Sequence, residues 1–459
     1  MDKPNVIFVF SDQHRWHACG CHGDPNVRTP NMDWLSRQSV EFTMAVSGMP
    51  VCCPYRASLL TGQYPHHHGI FLNDLSLDVS VPTIGEIFKA VGYDTAYIGK
   101  WHLNGRGRSV PIPREGRYGF DYWKVLECTH DYNHSYYYSS ETEKDGEGNK
   151  KQLWKGYDAA AQTDDAIGYI NDHKESKMPF FLVLSWGPPH DPYDTAPETF
   201  KMMYKPEKVI LRENVPEDQA GPARRELSGY YAHISALDHC LGRLMEAVKA
   251  DGLWENTIFV YTSDHGDMLH SQGVEKKQKP WEESVRVPFW LSYPKRFGHN
   301  PIKVNWPLNS PDIMPTLLEL CHIDIPISVD GQSLLEYIHP AAMLKTDDFY
   351  PAVLLQCISP NGEWHKFRGG RPYRGIRTLR YTYVKDLNGP WLLYDNYKDP
   401  FQLCNILERG SADPSIVRKL DQVLTFLMTQ TGDEFLSNHT YLEKWGYQVD
   451  FLGTHQYKI

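Results

Sequence analysis

No apolar run in this 459-residue chain approaches the length needed to span a bilayer as a helix. Paired Cys-x-x-Cys spacings are absent, and so are internal repeats and long low-complexity segments. The first absence means that no segment of this chain reads as a membrane-spanning helix. The second counts against a structural zinc site, and the third against solenoid and fibrous architectures. Basic residues are in deficit, with 47 Lys and Arg against 57 Asp and Glu and a formal net charge of −10. That argues against broad binding to nucleic acid or an anionic membrane, while leaving room for a local basic pocket. No secretory leader precedes the first strand-like run: Met1 is followed by Asp2, Lys3 and Pro4. The expectation is a cytoplasmic protein, the alternative being a periplasmic or secreted form with its leader trimmed. The nine cysteines are odd in number and lack disulfide-framework spacing. They fit a reducing compartment or small buried apolar groups. His14, His17, Cys19, Cys21 and His22 cluster in sequence, but without the paired spacing that zinc favours.

One pattern recurs. A short β-branched or aromatic run ends, and polar residues follow at once. Asn5 to Phe10 runs into Ser11-Asp12-Gln13, and Asp94 to Gly99 into Lys100-Trp101-His102. Phe180 to Trp186 runs towards Pro188-Pro189-His190-Asp191, and Asn256 to Thr262 into Ser263-Asp264-His265-Gly266-Asp267. Near-continuous apolar runs suit strands buried on both faces. Helical spacing lies between them, at Thr83 to Val91, Ala159 to Ile170 and Arg224 to Lys249. The pattern predicts an α/β fold: a large, mainly parallel sheet sandwiched by helices. In such sheets ligands bind outside the carboxyl ends of the strands, where all four polar clusters fall.

After a helix predicted over Ser310 to Leu320, the texture changes. Short strand-like pieces, "AVLLQCI", "RGIRTLRYTYV" and "WLLYDN", are followed by helical spacing near Ser415 to Leu427. These predict a smaller antiparallel sheet with a helix on it. The division expected is a catalytic α/β domain over 1–345 and a C-terminal α+β subdomain over 346–459. Cys128 to Lys155 is polar and tyrosine-rich and reads as a surface insertion. Its rings, around Tyr136 to Trp154, would be either stacking platforms for sugars or a packed cover.

Asp12, Gln13, Asp264 and His265 offer mostly oxygen ligands and one imidazole, a set suited to Ca2+, Mg2+ or Mn2+. Taken singly, Asp12 and Asp264 would read as helix caps. Gly266 would allow close backbone approach. Arg56, Lys100, His102, His190 and Lys277, if converged, would make an oxyanion pocket beside the metal. Lys276 and Lys279 read as solvated surface lysines. In "PVCCPYRASLLTG", Pro54 opens a helix and Gly62 ends it, so a thiol lies at the helix N-terminus. That thiol could be an activated nucleophile or a buried structural group.

Here the residues carry a resemblance. Counted from Cys52, Pro54 stands two on, Arg56 four on, and Leu59, Thr61 and Gly62 follow. This resembles the Cys-x-Pro-x-Arg…Leu-x-Thr-Gly signature of type I, formylglycine-dependent sulfatases of the alkaline phosphatase-like superfamily. Counting from Cys53 breaks both spacings. "TPNMDWLS", "GKWHL", "PPHDPY", "SDHGD", "PWEESVRVP", "DIMPTLLEL", "DGQSL" and "LYDNYKDPFQLCNI" look like further landmarks in the family's order.

The resemblance implies that a maturase oxidises Cys52 to formylglycine. One hydroxyl of its hydrate attacks the sulfur of a sulfate ester, and the second then expels the sulfate. It implies Arg56 as orienter of the nucleophile. Lys100, His102 and Lys277 would be holders of sulfate oxygens, and His190 the proton source for the leaving alcohol. Asp12, Gln13, Asp264 and His265 would ligate one divalent cation, Ca2+ first and Mn2+ or Mg2+ as alternatives. Asn73 resembles a polar contact to the transferred group. His66, His67 and His68 read as surface or supporting groups. Tyr55 stands where the signature has a small residue, and Gln13 where an acidic ligand is common. The implied substrate is a small sulfated carbohydrate, with aryl sulfates next. A phosphonate monoester or phosphodiester hydrolase of the same superfamily is the rival enzyme; Lys100 and His102 favour sulfate over it. A sulfated-ligand scaffold with unconverted Cys52 is the non-enzymatic rival.

Overall fold

The computed structural model describes residues 3–140, 150–338, 347–455 and 457. Its centre is a ten-stranded sheet in the order 302–304, 40–42, 289–292, 257–263, 5–12, 180–189, 94–100, 122–126, 136–139, 152–153. Five neighbouring strands, from Thr257–Ser263 to Tyr122–Leu126, run parallel. Phe289–Ser292 and Tyr136–Ser139 pair antiparallel at their flanks. Along Asn5–Asp12 the side chains alternate between two cores. Val6, Phe8 and Phe10 face the layer holding the helices at Cys52–Thr61, Ile84–Ala90 and Ile313–Leu320. Ile7 and Val9 face the layer of Asp158–His173 and Ala220–Ala250. Both faces being covered explains why these strands are apolar throughout. The expected α/β sandwich is the observed one.

A four-stranded antiparallel sheet follows, in sequence order: Ala352–Cys357, Tyr373–Thr378, Tyr381–Asp386 and Gly389–Asp395. "RGIRTLRYTYV" is thus two strands, turning at Leu379-Arg380. The helix Pro414–Gln430 lies on this sheet through Leu420 and Leu424, capped by the Asp413 side chain on the Ser415 N–H. The boundary expected at 345/346 falls among residues 339–346, outside those described.

Cys128 to Lys155 departs from its sequence reading. Tyr136–Ser139 and Gln152–Leu153 extend the large sheet. Tyr132, Tyr136, Tyr138 and Trp154 are buried in the core beside the long helix. These rings are a packed cover, not a platform open to sugars; residues 141–149 lie outside those described. Tyrosine buries an apolar ring while its hydroxyl finds a polar partner. Tyr136 and Tyr138 donate to the Arg108 and Ser109 carbonyls at 2.6 and 2.8 Å.

The small sheet is bolted to the segment that follows Lys277. Arg377 grips Glu282 through two bonds of 2.7 and 3.2 Å, both side chains buried. Removing one partner strands the other charge in the interior, which costs about 3–5 kcal/mol, whereas an apolar pair of similar volume is often neutral. Glu282→Ala should therefore lower the unfolding free energy by about 3–5 kcal/mol, read by urea denaturation. The double variant Glu282→Leu/Arg377→Met should recover most of the loss; no recovery would mean the pair is not what joins the two parts.

Candidate active site

Four strand ends, neighbours in the sheet, supply the floor of the site. Asp12 ends its strand, and Gln13 follows in the left-handed region at φ 77°. That turn lets the Gln13 N–H donate to Asp264 Oδ1 at 3.0 Å. Gly266 is required by close approach: a Cβ there would lie 2.0 Å from the Glu283 carbonyl oxygen. His102 also has a positive φ, 60°, just past its strand. Backbone outliers of this kind concentrate at functional sites.

The helix Cys52–Thr61 delivers Cys52 and Arg56 from one turn. Cys52 Sγ lies 3.2 Å from Lys277 Nζ, 3.3 Å from His265 Nε2 and 3.6 Å from Asp12 Oδ1. Cys53 points elsewhere, its thiol donating to the His102 carbonyl at 2.8 Å. Burial, and then the Asp12 carboxylate, push the Cys52 thiol up to about 12, outweighing the helix N-terminus.

Arg56 spans the two carboxylates, 3.2 Å from Asp12 Oδ2 and 3.3 Å from Asp264 Oδ2. Its other terminal nitrogen donates to the Lys100 carbonyl and Ser185 Oγ at 2.7 and 2.8 Å. Lys100 Nζ sits 2.6 Å from Asp12 Oδ2. Burial alone would raise Asp12, but the cations around it, Lys100 foremost, bring it well below the usual carboxylate range. Asp264 is raised, by burial and by Asp12.

The remaining donors fit a hard cation. Ligand atoms of Asp12, Cys52, Asp264 and His265 all lie within 4.8 Å of one another, and all four residues are buried. Gln13 gives its amide NH2 to Asp267 Oδ2 and the Tyr193 hydroxyl, 2.5 and 3.1 Å away. Its oxygen is thereby turned towards Lys277, 3.4 Å off. Two carboxylates, an amide oxygen and an imidazole are the donor chemistry of a divalent metal that prefers oxygen. The His14–His22 segment is not part of this cluster, and Cys21 is exposed.

Above this floor lies a cavity of about 210 Å³, lined by Cys52, Asn73, Lys100, His102, His190 and Lys277 and by five residues the sequence did not assign to the site. Those are Arg108, His130, Asp191, Lys276 and Glu363. The Asn73 oxygen accepts from the Cys53 N–H at 3.2 Å. Lys277 donates to His190 Nε2 at 2.8 Å, and His190 Nδ1 donates to the Asp191 carbonyl at 3.0 Å. Burial and then Lys277 hold His190 well below its ordinary range, hence neutral. His102 Nε2 is held by Asp74 at 3.0 Å, and burial followed by Lys100 takes it down to about 3. Its Nδ1 has no partner among the described residues. His102 thus donates from Nε2 to Asp74, and its Nδ1 can donate to an anion only once protonated.

Two readings of lysine and histidine change. Lys276 pairs with Asp191 at 2.9 Å on the cavity wall. Lys279 is buried rather than solvated; its ammonium bonds the Glu275 and Lys277 carbonyls and pins the loop that carries Lys277. His66 and His68 are buried away from the cavity, on Thr431 and Ser58. His130 stacks on His190, ring centroids 4.6 Å apart. Sequence hints of the missed set were Asp191, next to His190 at a strand end, and Gly105-Arg106-Gly107-Arg108, a basic turn with glycines.

Comparison with known proteins places this geometry. The sulfatase family model matches residues 4–323, and that of the C-terminal part of N-sulphoglucosamine sulphohydrolase matches residues 272–430. An ulvan-active sulfatase of Formosa agariphila is 43% identical over 451 residues, covering 97% of this chain and 85% of that protein. A solved structure from work on glycosaminoglycan metabolism in Bacteroides thetaiotaomicron is 28% identical, with a TM-score of 0.81 over 96% of this chain and 98% of its own. The phosphonate monoester hydrolase of Agrobacterium radiobacter, 22% identical, shares the fold at a TM-score of 0.73 over 94% of this chain and 96% of its own. With its sheet, its small C-terminal domain and well over half its length matched, the chain belongs to the sulfatase family and is a sulfuric ester hydrolase.

Proposed function

We propose that the protein hydrolyses a sulfate ester on a carbohydrate, using formylglycine made from Cys52 and one divalent cation, Ca2+ first. The observation that carries this reading is the meeting of Cys52 with Asp12, His265 and Lys277 at the floor of one cavity. The relatives' names support the carbohydrate: one acts on ulvan, and another is an endo-4-O-sulfatase. The cavity, about 210 Å³, is below the ~300–1,000 Å³ usual for ligand pockets. It suits a sulfate and the ring bearing it, with any longer chain outside.

Asp12, Asp264, His265 and the Gln13 oxygen would hold the cation, whose chemistry is Lewis-acid polarisation of a neighbouring oxygen. Formylglycine, as its hydrate, supplies two hydroxyls on one carbon, one for attack and one for release of sulfate by elimination. Arg56 fixes both carboxylates and so fixes where residue 52 points. Lys100 and Lys277 present ammonium groups to the sulfate oxygens, where charge develops. Lys277 also carries a proton against His190 Nε2. A bound sulfate adds negative charge beside His190 and offsets the cations that keep it neutral. The pair can then pass a proton to the departing alcohol.

The phosphonate reading shares the fold, but Lys100 and His102 at the cavity favour a sulfate. The deciding experiment is paired. The peptide spanning Pro50 to Arg56, from the native host, should carry the mass of formylglycine at residue 52. Turnover of an aryl sulfate should exceed that of an aryl phosphonate by orders of magnitude. Faster phosphonate turnover would overturn the sulfate assignment, and an unmodified thiol in active enzyme would overturn the formylglycine.

Lys100→Ala should lower kcat by about 10²-fold or more while circular dichroism stays native. An unchanged rate would remove Lys100 from the mechanism. Chelation with EDTA should abolish activity and lower Tm, because two buried carboxylates lose a ligand that binds the folded state. Ca2+ or Mn2+ should restore both. A Tm indifferent to chelator and to added ion would count against the metal site.

A further inference from the structure

Most side chains lining the cavity are committed to partners. Lys276 holds Asp191, Lys277 holds His190, Lys100 holds Asp12, and Asn73 holds the Cys53 N–H. Two groups are not. Glu363, half-buried, has no hydrogen-bond or ion-pair partner among the described residues. Arg108 spends Nε and one terminal nitrogen on Asp74, at 2.9 and 2.8 Å. The Tyr457 hydroxyl lies beside the guanidinium, but the other terminal nitrogen makes no hydrogen bond of its own among the described residues, and the side chain is 43% exposed. The cavity lining therefore offers an open carboxylate acceptor and an open guanidinium donor.

Neither group is a loose surface side chain. The turn that carries Glu363 is clamped to the Lys277 loop. Gln278 donates to the Asn361 carbonyl at 2.9 Å, and the Asn361 N–H returns a bond of 3.1 Å to the Gln278 oxygen. Arg108 is fixed at both ends. Its carbonyl accepts from the Tyr136 hydroxyl at 2.6 Å. Asp74, which holds its guanidinium, is itself held by His102 at 3.0 Å and by the Tyr457 hydroxyl at 2.7 Å.

We infer that Glu363 and Arg108 are a specificity pair that reads hydroxyl groups on the sugar ring bearing the sulfate, and that Glu363 rejects a second anionic group on that ring. The inference rests on the proposed carbohydrate sulfatase function and names its substrate class: a monosulfated, otherwise neutral sugar. The chemistry follows from the inventory of open groups. A carboxylate accepts only, so it takes hydroxyl protons and repels a carboxylate or second sulfate. A guanidinium nitrogen, pre-aimed by a bidentate partner, donates to a hydroxyl or ring oxygen without having to be ordered first. Glu363 lies within electrostatic reach of Lys277 and Lys279, but no cation among the described residues contacts it and both lysines are bonded elsewhere, so the charge a ring would touch at Glu363 is negative.

The test compares wild type with Glu363→Gln on three substrate types. These are monosulfated neutral hexoses, the matching sulfated hexuronic acids, and 4-nitrophenyl sulfate. Wild type should favour the neutral sugars over the hexuronic acids. Glu363→Gln should lower the ratio of kcat/KM for the neutral sugar to that for nitrophenyl sulfate by about 10- to 100-fold, the loss of one charged hydrogen bond. It should also narrow the gap between neutral and acidic sugars. Arg108→Lys, which keeps the charge and loses the fork, should lower the same ratio. Equal shifts on all three substrates, or none, would overturn the pair alone. Wild-type turnover of nitrophenyl sulfate with no sugar sulfate cleaved would overturn the carbohydrate reading and the pair with it.

Discussion

Two carboxylates, Asp12 and Asp264, lie fully buried side by side at the ends of adjacent strands. Their repulsion is the constraint around which the rest of the site is organised. Two unit charges about 4 Å apart repel by roughly 4 kcal/mol at an effective dielectric of about 20. Arg56 offsets this by taking one oxygen from each. Lys100 adds a second cation on Asp12. The other oxygen of each, Oδ1, lies 3.5 Å from His265 Nε2, that of Asp264 also accepting the Gln13 N–H. That pair is the part of the cluster a divalent cation would take. With Arg56, Lys100 and Lys277 near two carboxylates, the floor is positive even without a metal, and an anion is drawn to it.

The sheet makes this arrangement possible and the C-terminal part holds it closed. Four consecutive strands present Asp264 and His265, Asp12 and Gln13, Ser185 and His190, and Lys100 and His102 along one edge. Lys277 arrives from the other side, on a loop whose ends are tied down by Lys279, by Gln278 on Asn361, and by Glu282 on Arg377. The small sheet is therefore part of the site. It sets the height of Lys277 over Cys52, and it contributes Glu363.

The parts of this molecule that were legible in sequence are those with a period or a spacing. Strands buried on both faces announce themselves as apolar runs, and polar residues just past them point to the carboxyl edge. The choice of Cys52 over its neighbour came from counting to Pro54 and Arg56, and the thiols do diverge. Other features had no such signal. Tyr136 and Tyr138 are two apart and both bury their rings, but the polar segment around them resembled surface. Lys279 was read by the habit of its residue type, and its burial depends on carbonyls two and four residues back. Arg108 sits in a turn and Glu363 in the single 3-10 turn Gly362–Trp364, more than 250 positions apart. Nothing local brings them to one cavity; the clamps at Asp74 and Asn361 do.

The proton for the leaving group is where geometry outweighs acidity. In the resting site His190 is neutral, because burial and the Lys277 ammonium disfavour a second charge. The histidine's one proton is on Nδ1, bonded to the Asp191 carbonyl, and Nε2 is bare. Yet Lys277 holds one 2.8 Å away, donated towards His190 Nε2. A sugar alkoxide is far more basic than either group, so the proton moves downhill from whichever bears it. What the protein must supply is position: an N–H at the ester oxygen when the bond to sulfur breaks. The Asp191 carbonyl fixes His190 Nδ1 and leaves Nε2 the only ring nitrogen that can exchange a proton with Lys277. In the proposed reaction the two residues act as one donor, charged by the lysine and aimed by the histidine.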